Sequence, residues 1–432
     1  MLLYSTKNPA KKYSLREAVM KGLPDDNGLF MPLIIPKLSD SFIKNLSDLS
    51  FQEIAFHVSR SLIQDAIPEK VLEEMVYQSI NFPAPLIKFD EQKYILELFH
   101  GPSLAFKDFG ARFMAKLMDY FNREEDKELV ILVATSGDTG GAVAAGFYDT
   151  PGIKVVILYP SGKVSDLQEK QLTTFGKNVT AIELQGSFDD CQHLVKQAFL
   201  DKDLNTALRL SSANSINISR LIPQSFYYFE GYKQIISHKS PVVFCVPSGN
   251  FGNLTAGLIS KKMGLPIAHF VAATNENDVV PEYLRNGIFR SRPSLQTISN
   301  AMDVGNPSNF ARILDIYSST WNIIKSEISG YGISDSETQD TIFEVFESYK
   351  YVIDPHGAVG YAALKKYQEE NPETIGVILG TAHPSKFLNT VESIIGQKID
   401  LPKQLKAISK KEKQAVFIKS DFSDLKEYLL RM

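Results

Sequence analysis

Lys107 lies in the segment His100-Gly101-Pro102-Ser103-Leu104-Ala105-Phe106-Lys107-Asp108-Phe109-Gly110, directly after the strand-like run Tyr94-Ile95-Leu96-Glu97-Leu98-Phe99. A lysine set close to two phenylalanines, just past a strand, resists being charged. Burial there lowers its pKa and frees the amine to attack a carbonyl, which is what a Schiff-base lysine needs. The same segment also reads as a lysine whose stem packs on apolar neighbours while its head reaches water. The company Lys107 keeps elsewhere in the chain decides between them.

Three strand-to-helix junctions are rich in small and hydroxyl residues. In Ala134-Thr135-Ser136-Gly137-Asp138-Thr139-Gly140-Gly141, backbone N–H groups and hydroxyls converge at a helix start, where the dipole favours an anion. In Pro247-Ser248-Gly249-Asn250-Phe251-Gly252-Asn253, two glycines let the backbone approach a ligand, and successive N–H groups can form an anion nest. This junction has neither the Gly-Lys-Ser/Thr ending of a Walker loop nor a G-x-G-x-x-G pattern. The third, Gly380-Thr381-Ala382-His383-Pro384-Ser385, puts a hydroxyl at the end of another strand. Carboxyl ends of strands in α/β proteins are where ligands bind, and anion loops there point to a phosphate. A further polar cluster, Asn214-Ser215-Ile216-Asn217-Ile218-Ser219-Arg220, would put Asn214, Asn217 and Arg220 on one helical face. Arg220 suits phosphate or carboxylate, although Asn214 and Ser215 capping a helix and Arg220 in a surface ion pair is the competing reading. His57, His193, His238 and His269 are scattered without metal-ligand spacing, so no metal is expected. A desolvated lysine, a phosphate nest and a hydroxyl partner together fit pyridoxal 5′-phosphate in an α/β scaffold.

The elements that must position these residues read as follows. The first ~80 residues form a separate, mainly helical unit. Ser14-Leu15-Arg16-Glu17 reads as a capping box closed by Gly22, helical spacing runs from Phe51 to Ile63, and another helix follows Pro68. Pro83-Ala84-Pro85 marks a boundary. Beyond it, strands at Leu129–Ala134, Val155–Leu158, Val242–Val246, Ile267–Ala272 and Thr374–Leu379 alternate with helices, which predicts an α/β protein with mainly parallel sheets in two lobes. The final Lys- and Glu-rich stretch predicts a peripheral helix or two. The expected division is 1–82, 83–395 with a smaller lobe at roughly 110–220, and a C-terminal extension at 396–432. With 46 basic against 50 acidic residues and no basic run, neither nucleic acid nor an anionic membrane is an expected partner. Cys191 and Cys245 make no disulfide framework, and no export signal or long apolar span is visible, so a cytoplasmic protein is expected.

These segments resemble the bacterial threonine synthase family of fold-type II pyridoxal-phosphate enzymes. The likeness runs nearly full length: His100–Gly110, Thr135–Gly140, Asn214–Arg220, Ser248–Asn253, Asn300-Ala301-Met302-Asp303, Gly380–Phe387, and the amino-terminal Gly28-Leu29-Phe30-Met31-Pro32. The resemblance implies a tryptophan synthase β-like fold. It implies that Lys107 holds the cofactor and shuttles protons, that Gly249, Asn250, Phe251, Gly252 and Asn253 cradle its phosphate, and that Thr381 bonds the pyridine nitrogen. Ser136, Gly137, Asp138 and Thr139 match the loop that grips the substrate α-carboxylate, and Asn214, Ser215, Asn217 and Arg220 the cluster near the substrate phosphate. Many fold-type II enzymes carry Asn where this chain has Asp138; the bacterial threonine synthases have Asp.

The implied reaction converts O-phospho-L-homoserine and water to L-threonine and phosphate by γ-elimination and β-hydration. A phospholyase releasing 2-oxobutyrate and ammonia, a threonine dehydratase, and a non-catalytic cofactor-binding relative are the alternatives. Monomer and homodimer are both compatible with the sequence.

Overall fold

The computed structural model describes every residue of the chain except Ser136. Strand Leu2–Ser5 runs between Asn8–Ser14 and Phe30–Pro32 in a three-stranded antiparallel sheet. The helices expected in this region form as read. Ser14 and Ser50 each complete a capping box, starting helices Leu15–Lys21 and Phe51–Ile63, and Glu69–Ser79 follows Pro68. Gly22 ends the first helix with φ of 74°, the left-handed region glycine tolerates. The unit is mainly helical as expected, and the sheet is an addition not expected from the sequence. Its Asn8–Ser14 strand is exposed at all but one position and carries no apolar alternation to betray it.

The rest builds two sheets. The larger has the strand order Ile328–Gly332, His269–Thr274, Val242–Pro247, Ile375–Gly380, Lys93–Glu97, Leu86–Lys88, parallel except for the last pair. The smaller is parallel throughout, in the order Val416–Lys419, Val179–Gln185, Ile153–Pro160, Leu129–Ala134, Arg209–Ser212. Leu129–Ala134, Val242–Pro247 and Ile375–Gly380 are buried at every position, as strands covered by helices on both faces must be. The chain is therefore α/β with two mainly parallel sheets, as the alternation of runs predicts.

Two differences concern the smaller lobe. The C-terminal stretch, expected to be helical, also supplies the edge strand Val416–Lys419 between helices Lys403–Ser409 and Phe422–Leu430. The lobe thus takes one strand from far outside 110–220. No described helix is long and apolar enough to cross a membrane.

Candidate active site

Lys107 is the first residue of helix Lys107–Asn122. The segment before it is pinned from both sides. Leu104 adopts a left-handed φ of 58°, and the main chain then bridges Ala105 to Ala382. The Phe106 N–H donates to the Thr381 carbonyl at 2.9 Å, and the His383 N–H to that of Leu104 at 3.0 Å. The lysine and the Thr381 turn are therefore one structural unit although the chain separates them widely. Among the described residues the Lys107 amine makes no hydrogen bond and no ion pair. Burial pulls its pKa down to about 8; Asp138 pulls it back up, while the Arg220 and Lys386 charges push it lower. Such an amine is still mostly charged at neutral pH, but its neutral fraction is far above that of an exposed lysine.

Lys386 explains why Lys107 stays unpaired. Its fully buried ammonium lies 2.7 Å from Asp138 Oδ1. It also donates to the Ser103 carbonyl at 2.8 Å, and Gln168 Nε2 donates to the same Asp138 oxygen at 3.0 Å. Burial by itself would raise the Asp138 pKa. The Lys386 and Lys107 charges and the hydrogen bonds from Lys386 and Gln168 outweigh it and hold the group ionised, far below the ordinary carboxylate range. The Asp138 side chain thus turns inward, away from the loop. What the loop offers a ligand is backbone: the N–H groups of Asp138 and Thr139, at the start of helix Asp138–Phe147, have no partner among the described residues. Gly137 has φ of +141°, and a Cβ there would meet Gln168 Cδ at 2.7 Å, so no other residue fits. Ser136, the remaining candidate of this loop, lies outside the described residues.

The second nest is more extensive. The N–H groups of Gly249, Asn250, Phe251, Gly252 and Asn253 donate to nothing among the described residues, at the start of helix Gly252–Lys262. Phe251 takes a left-handed φ of 60° that costs a bulky residue ~1 kcal/mol. Its carbonyl is held by the Thr255 N–H at 3.0 Å and the Thr255 hydroxyl at 2.7 Å. A Cβ on Gly249 would lie 2.8 Å from the Ala301 carbonyl oxygen and from Met302 Cα. The loop is therefore braced by the Asn300–Met302 turn. Asn253 keeps its side chain for the turn itself, donating to the Pro247 carbonyl and accepting the Leu254 N–H, so it presents only its main chain.

Asn250 bridges the nest to the polar cluster. Its Nδ2 donates to Ser215 Oγ at 2.5 Å while its Oδ1 accepts the Ser308 N–H at 2.5 Å. The cluster is not the continuous helix read from the sequence. Asn214 and Ser215 form a turn, and Asn217 caps the short helix Ile218–Leu221. Asn217 is a correction to the substrate-binding set. Its amide donates to the Val19 and Ser212 carbonyls and accepts from the Ser219 N–H and hydroxyl, leaving nothing for a ligand. Arg220 is different. It is buried, donates once to the Ala213 carbonyl at 2.6 Å, and leaves its Nε without a partner. Burial lowers its pKa only to about 10, with Asp108 opposing, so it stays cationic. A buried guanidinium without a carboxylate on it is suited to an anionic ligand.

Asp108, beside the lysine, accepts the Ser103 N–H through Oδ2 at 2.9 Å. Burial pushes its pKa up to about 6 despite that bond. Lys386, Gln168 and Arg312 were not among the sequence candidates. Arg312 is fully buried and donates to the Phe30 and Ile216 carbonyls and to Asn309, tying the amino-terminal Gly28–Pro32 segment to the polar cluster. The two cations bind partners remote in sequence, which leaves no local signature.

The residues fit pyridoxal phosphate on structural grounds: a cradle of unpartnered N–H groups, a glycine a Cβ would overfill, an unpaired lysine, and a hydroxyl rather than a carboxylate at Thr381. Two parallel sheets meeting over such a lysine define a pyridoxal-phosphate dependent enzyme, and the family model of that description matches residues 81–380. Models described as threonine synthase N terminus and threonine synthase, C-terminal match residues 3–80 and 357–429. The chain belongs to the threonine synthase family. It is 46% identical over 433 residues to the threonine synthase of Haemophilus influenzae, covering 100% of both chains. It is 46% identical over 407 residues to that of Escherichia coli, covering 94% of each. The crystal structure of the Escherichia coli enzyme superposes with a TM-score of 0.93 at 44% identity, covering 100% of both chains. The pyridoxal-phosphate-bound threonine synthase from Brucella melitensis superposes with a TM-score of 0.94 at 34% identity, covering 100% of this chain and 99% of that one. Maize serine racemase, at 17% identity and a TM-score of 0.55, shares the fold alone.

Proposed function

We propose that the chain converts O-phospho-L-homoserine and water to L-threonine and inorganic phosphate, with the site residues acting as follows. The observation that carries the reading is the buried Arg220 guanidinium with an unpartnered Nε, placed where its charge is felt at Lys107. A dehydratase of unphosphorylated threonine has no use for it. The N–H groups of Gly249 through Asn253 hold the cofactor phosphate, Lys107 anchors the cofactor, and the Thr381 hydroxyl faces its pyridine nitrogen. Bound there, pyridoxal phosphate supplies the electron sink that makes the protons on Cα and Cβ of an amino acid removable. A hydroxyl cannot keep the pyridine nitrogen protonated, so Thr381 moderates that sink and restrains racemisation.

The substrate α-carboxylate lies on the N–H groups of Asp138 and Thr139, while that of Gly137 is held by the Thr135 hydroxyl at 3.0 Å. Its phosphate lies against Arg220 with Asn214, Ser215 and Asn250. Lys107, once freed by the substrate amine, takes the Cα proton; a pKa near 8 leaves enough neutral amine to do so and a conjugate acid strong enough to return it. A Cβ proton then leaves, the γ-phosphate departs onto the Arg220 cluster, a proton is delivered to Cγ to make the methyl group, water adds at Cβ, and a proton returns to Cα. Fixing the substrate at both anionic ends keeps its carbons over Lys107 through these transfers.

Incubating the cofactor-loaded protein with O-phospho-L-homoserine and separating products tests this. Threonine and phosphate in equal amounts are expected; 2-oxobutyrate and ammonia in place of threonine would make it a phospholyase. The Lys107→Ala variant should lose the cofactor absorbance band and at least about a thousandfold in activity.

A further inference from the structure

We propose that Lys386 is a positioning residue that cancels the Asp138 charge and so lets the Gly137–Thr139 loop accept a carboxylate. The inference rests on the reading of that loop as the α-carboxylate site. The loop contains a carboxylate of its own, and an uncompensated Asp138 would repel the ligand that the adjacent N–H groups are arranged to bind. Lys386 removes the conflict. Its ammonium is 2.7 Å from Asp138 Oδ1, and the two side chains are 0% and 4% exposed. Water therefore screens this pair little, and only a buried cation can neutralise the buried anion. Gln168 donates to the same oxygen at 3.0 Å, on the side where Gly137 packs against it. Lys386 reaches Asp138 from the turn Pro384–Phe387, which follows Thr381 directly, and it also grips the Ser103 carbonyl at 2.8 Å. One ammonium thus ties the carboxylate loop of the smaller sheet to the Thr381 turn and to the segment leading into Lys107. Asp138 is spent on Lys386 and is not left to capture the Lys107 amine.

A purely architectural ion pair would hold these segments together without regard to what the loop binds. The two roles separate in a ligand comparison. Calorimetry on the cofactor-loaded protein would measure binding of a non-hydrolysable phosphonate analogue of the substrate, and of the same analogue lacking its α-carboxylate. Lys386→Gln should weaken the carboxylate-bearing analogue on the order of tenfold, because one buried negative charge is then left beside it. The decarboxylated analogue should change less than about twofold. Adding Asp138→Asn to Lys386→Gln makes the pair neutral and still able to hydrogen-bond, so this double variant is the one expected to fold normally. It should bind the carboxylate-bearing analogue within about threefold of the unmodified protein. Equal weakening of both analogues by Lys386→Gln, or a well-folded double variant that binds the carboxylate no better than the single variant, would overturn the proposal. Should Lys386→Gln fail to fold, the double variant alone decides: near-normal carboxylate affinity supports cancellation and a tenfold loss refutes it. Threonine release by the unmodified protein is scored separately. Its absence would sink the proposed reaction, while the contrast between analogues still reads the role of Lys386.

Discussion

Lys107 owes its chemistry to subtraction. Neither neighbouring carboxylate pairs with its amine: Asp138 is held by Lys386 and Gln168, and Asp108 accepts the Ser103 N–H through Oδ2 while its Oδ1 makes no hydrogen bond. What remains is burial, and burial penalises the charged form. The sign is therefore fixed: the neutral amine appears at lower pH than in an exposed lysine, around 8 instead of 10.5. In cofactor-free protein, the initial rate of pyridoxal phosphate uptake should climb about tenfold between pH 6 and 7 and level off above 8. A rate still rising steeply past pH 9 would mean an ordinary lysine. Arg220 illustrates the opposite case, a buried cation kept charged for want of a neutral form near neutrality. Arg220→Ala should raise KM for O-phospho-L-homoserine by ~10–100-fold, the worth of a charge-assisted hydrogen-bond pair, with much less effect on cofactor retention. Steady-state kinetics alongside cofactor absorbance would show the split. Unchanged kinetics would remove Arg220 from the site.

At the scale of elements, the proposed phosphate nest at Gly249–Asn253 is a turn held in shape by neighbours that leave no room for a side chain at Gly249. Gly249→Ala would drive a methyl to 2.8 Å from the Ala301 oxygen and Met302 Cα, both main chain. The Asn300–Met302 turn must retreat, the N–H groups lose their convergence, and cofactor affinity should fall by about tenfold or more, with ~1–3 kcal/mol of stability lost. Equilibrium dialysis of the cofactor would check the first, urea unfolding the second. This loop was legible in the sequence because its chemistry is local: a buried apolar strand, two glycines, and a helix of small residues in immediate succession. Strand Leu129–Ala134 and helix Phe51–Ile63 were legible to the residue for the same reason, each a continuous period bounded by a polar cap. Asn8–Ser14 was not, since an exposed strand of Lys and Pro is specified by its partner across the sheet. Nor was the Lys386–Asp138 pair, whose meaning exists only after two sheets have come together. Asn217 misled because a cap and a ligand-binding amide look alike until the Val19 carbonyl is seen to take its hydrogen.

The whole molecule closes the smaller lobe with its far end. Strand Val416–Lys419 covers the edge of Val179–Gln185, and helix Phe422–Leu430 lays Leu425 and Leu429 against a core containing Ile182, Leu184 and Cys191. The loop at Asp138 follows strand Leu129–Ala134, which Ile153–Pro160 separates from Val179–Gln185 and whose Val130, Leu132 and Ala134 face the same core. The C-terminal segment thus supports the carboxylate loop through the sheet, without approaching the site. Leu425 is completely buried, so Leu425→Ala should cost ~2–5 kcal/mol through lost transfer energy and the cavity left behind. If the segment acts only as support, the destabilised protein that remains folded should keep KM for O-phospho-L-homoserine within about twofold. The loss should appear in the urea midpoint and in the fraction of active enzyme at raised temperature. A KM rise matching the stability loss would instead show that this helix sets the position of the Gly137–Thr139 loop directly. Removing the strand altogether exposes an unpaired parallel edge, and aggregation should then precede any change in chemistry.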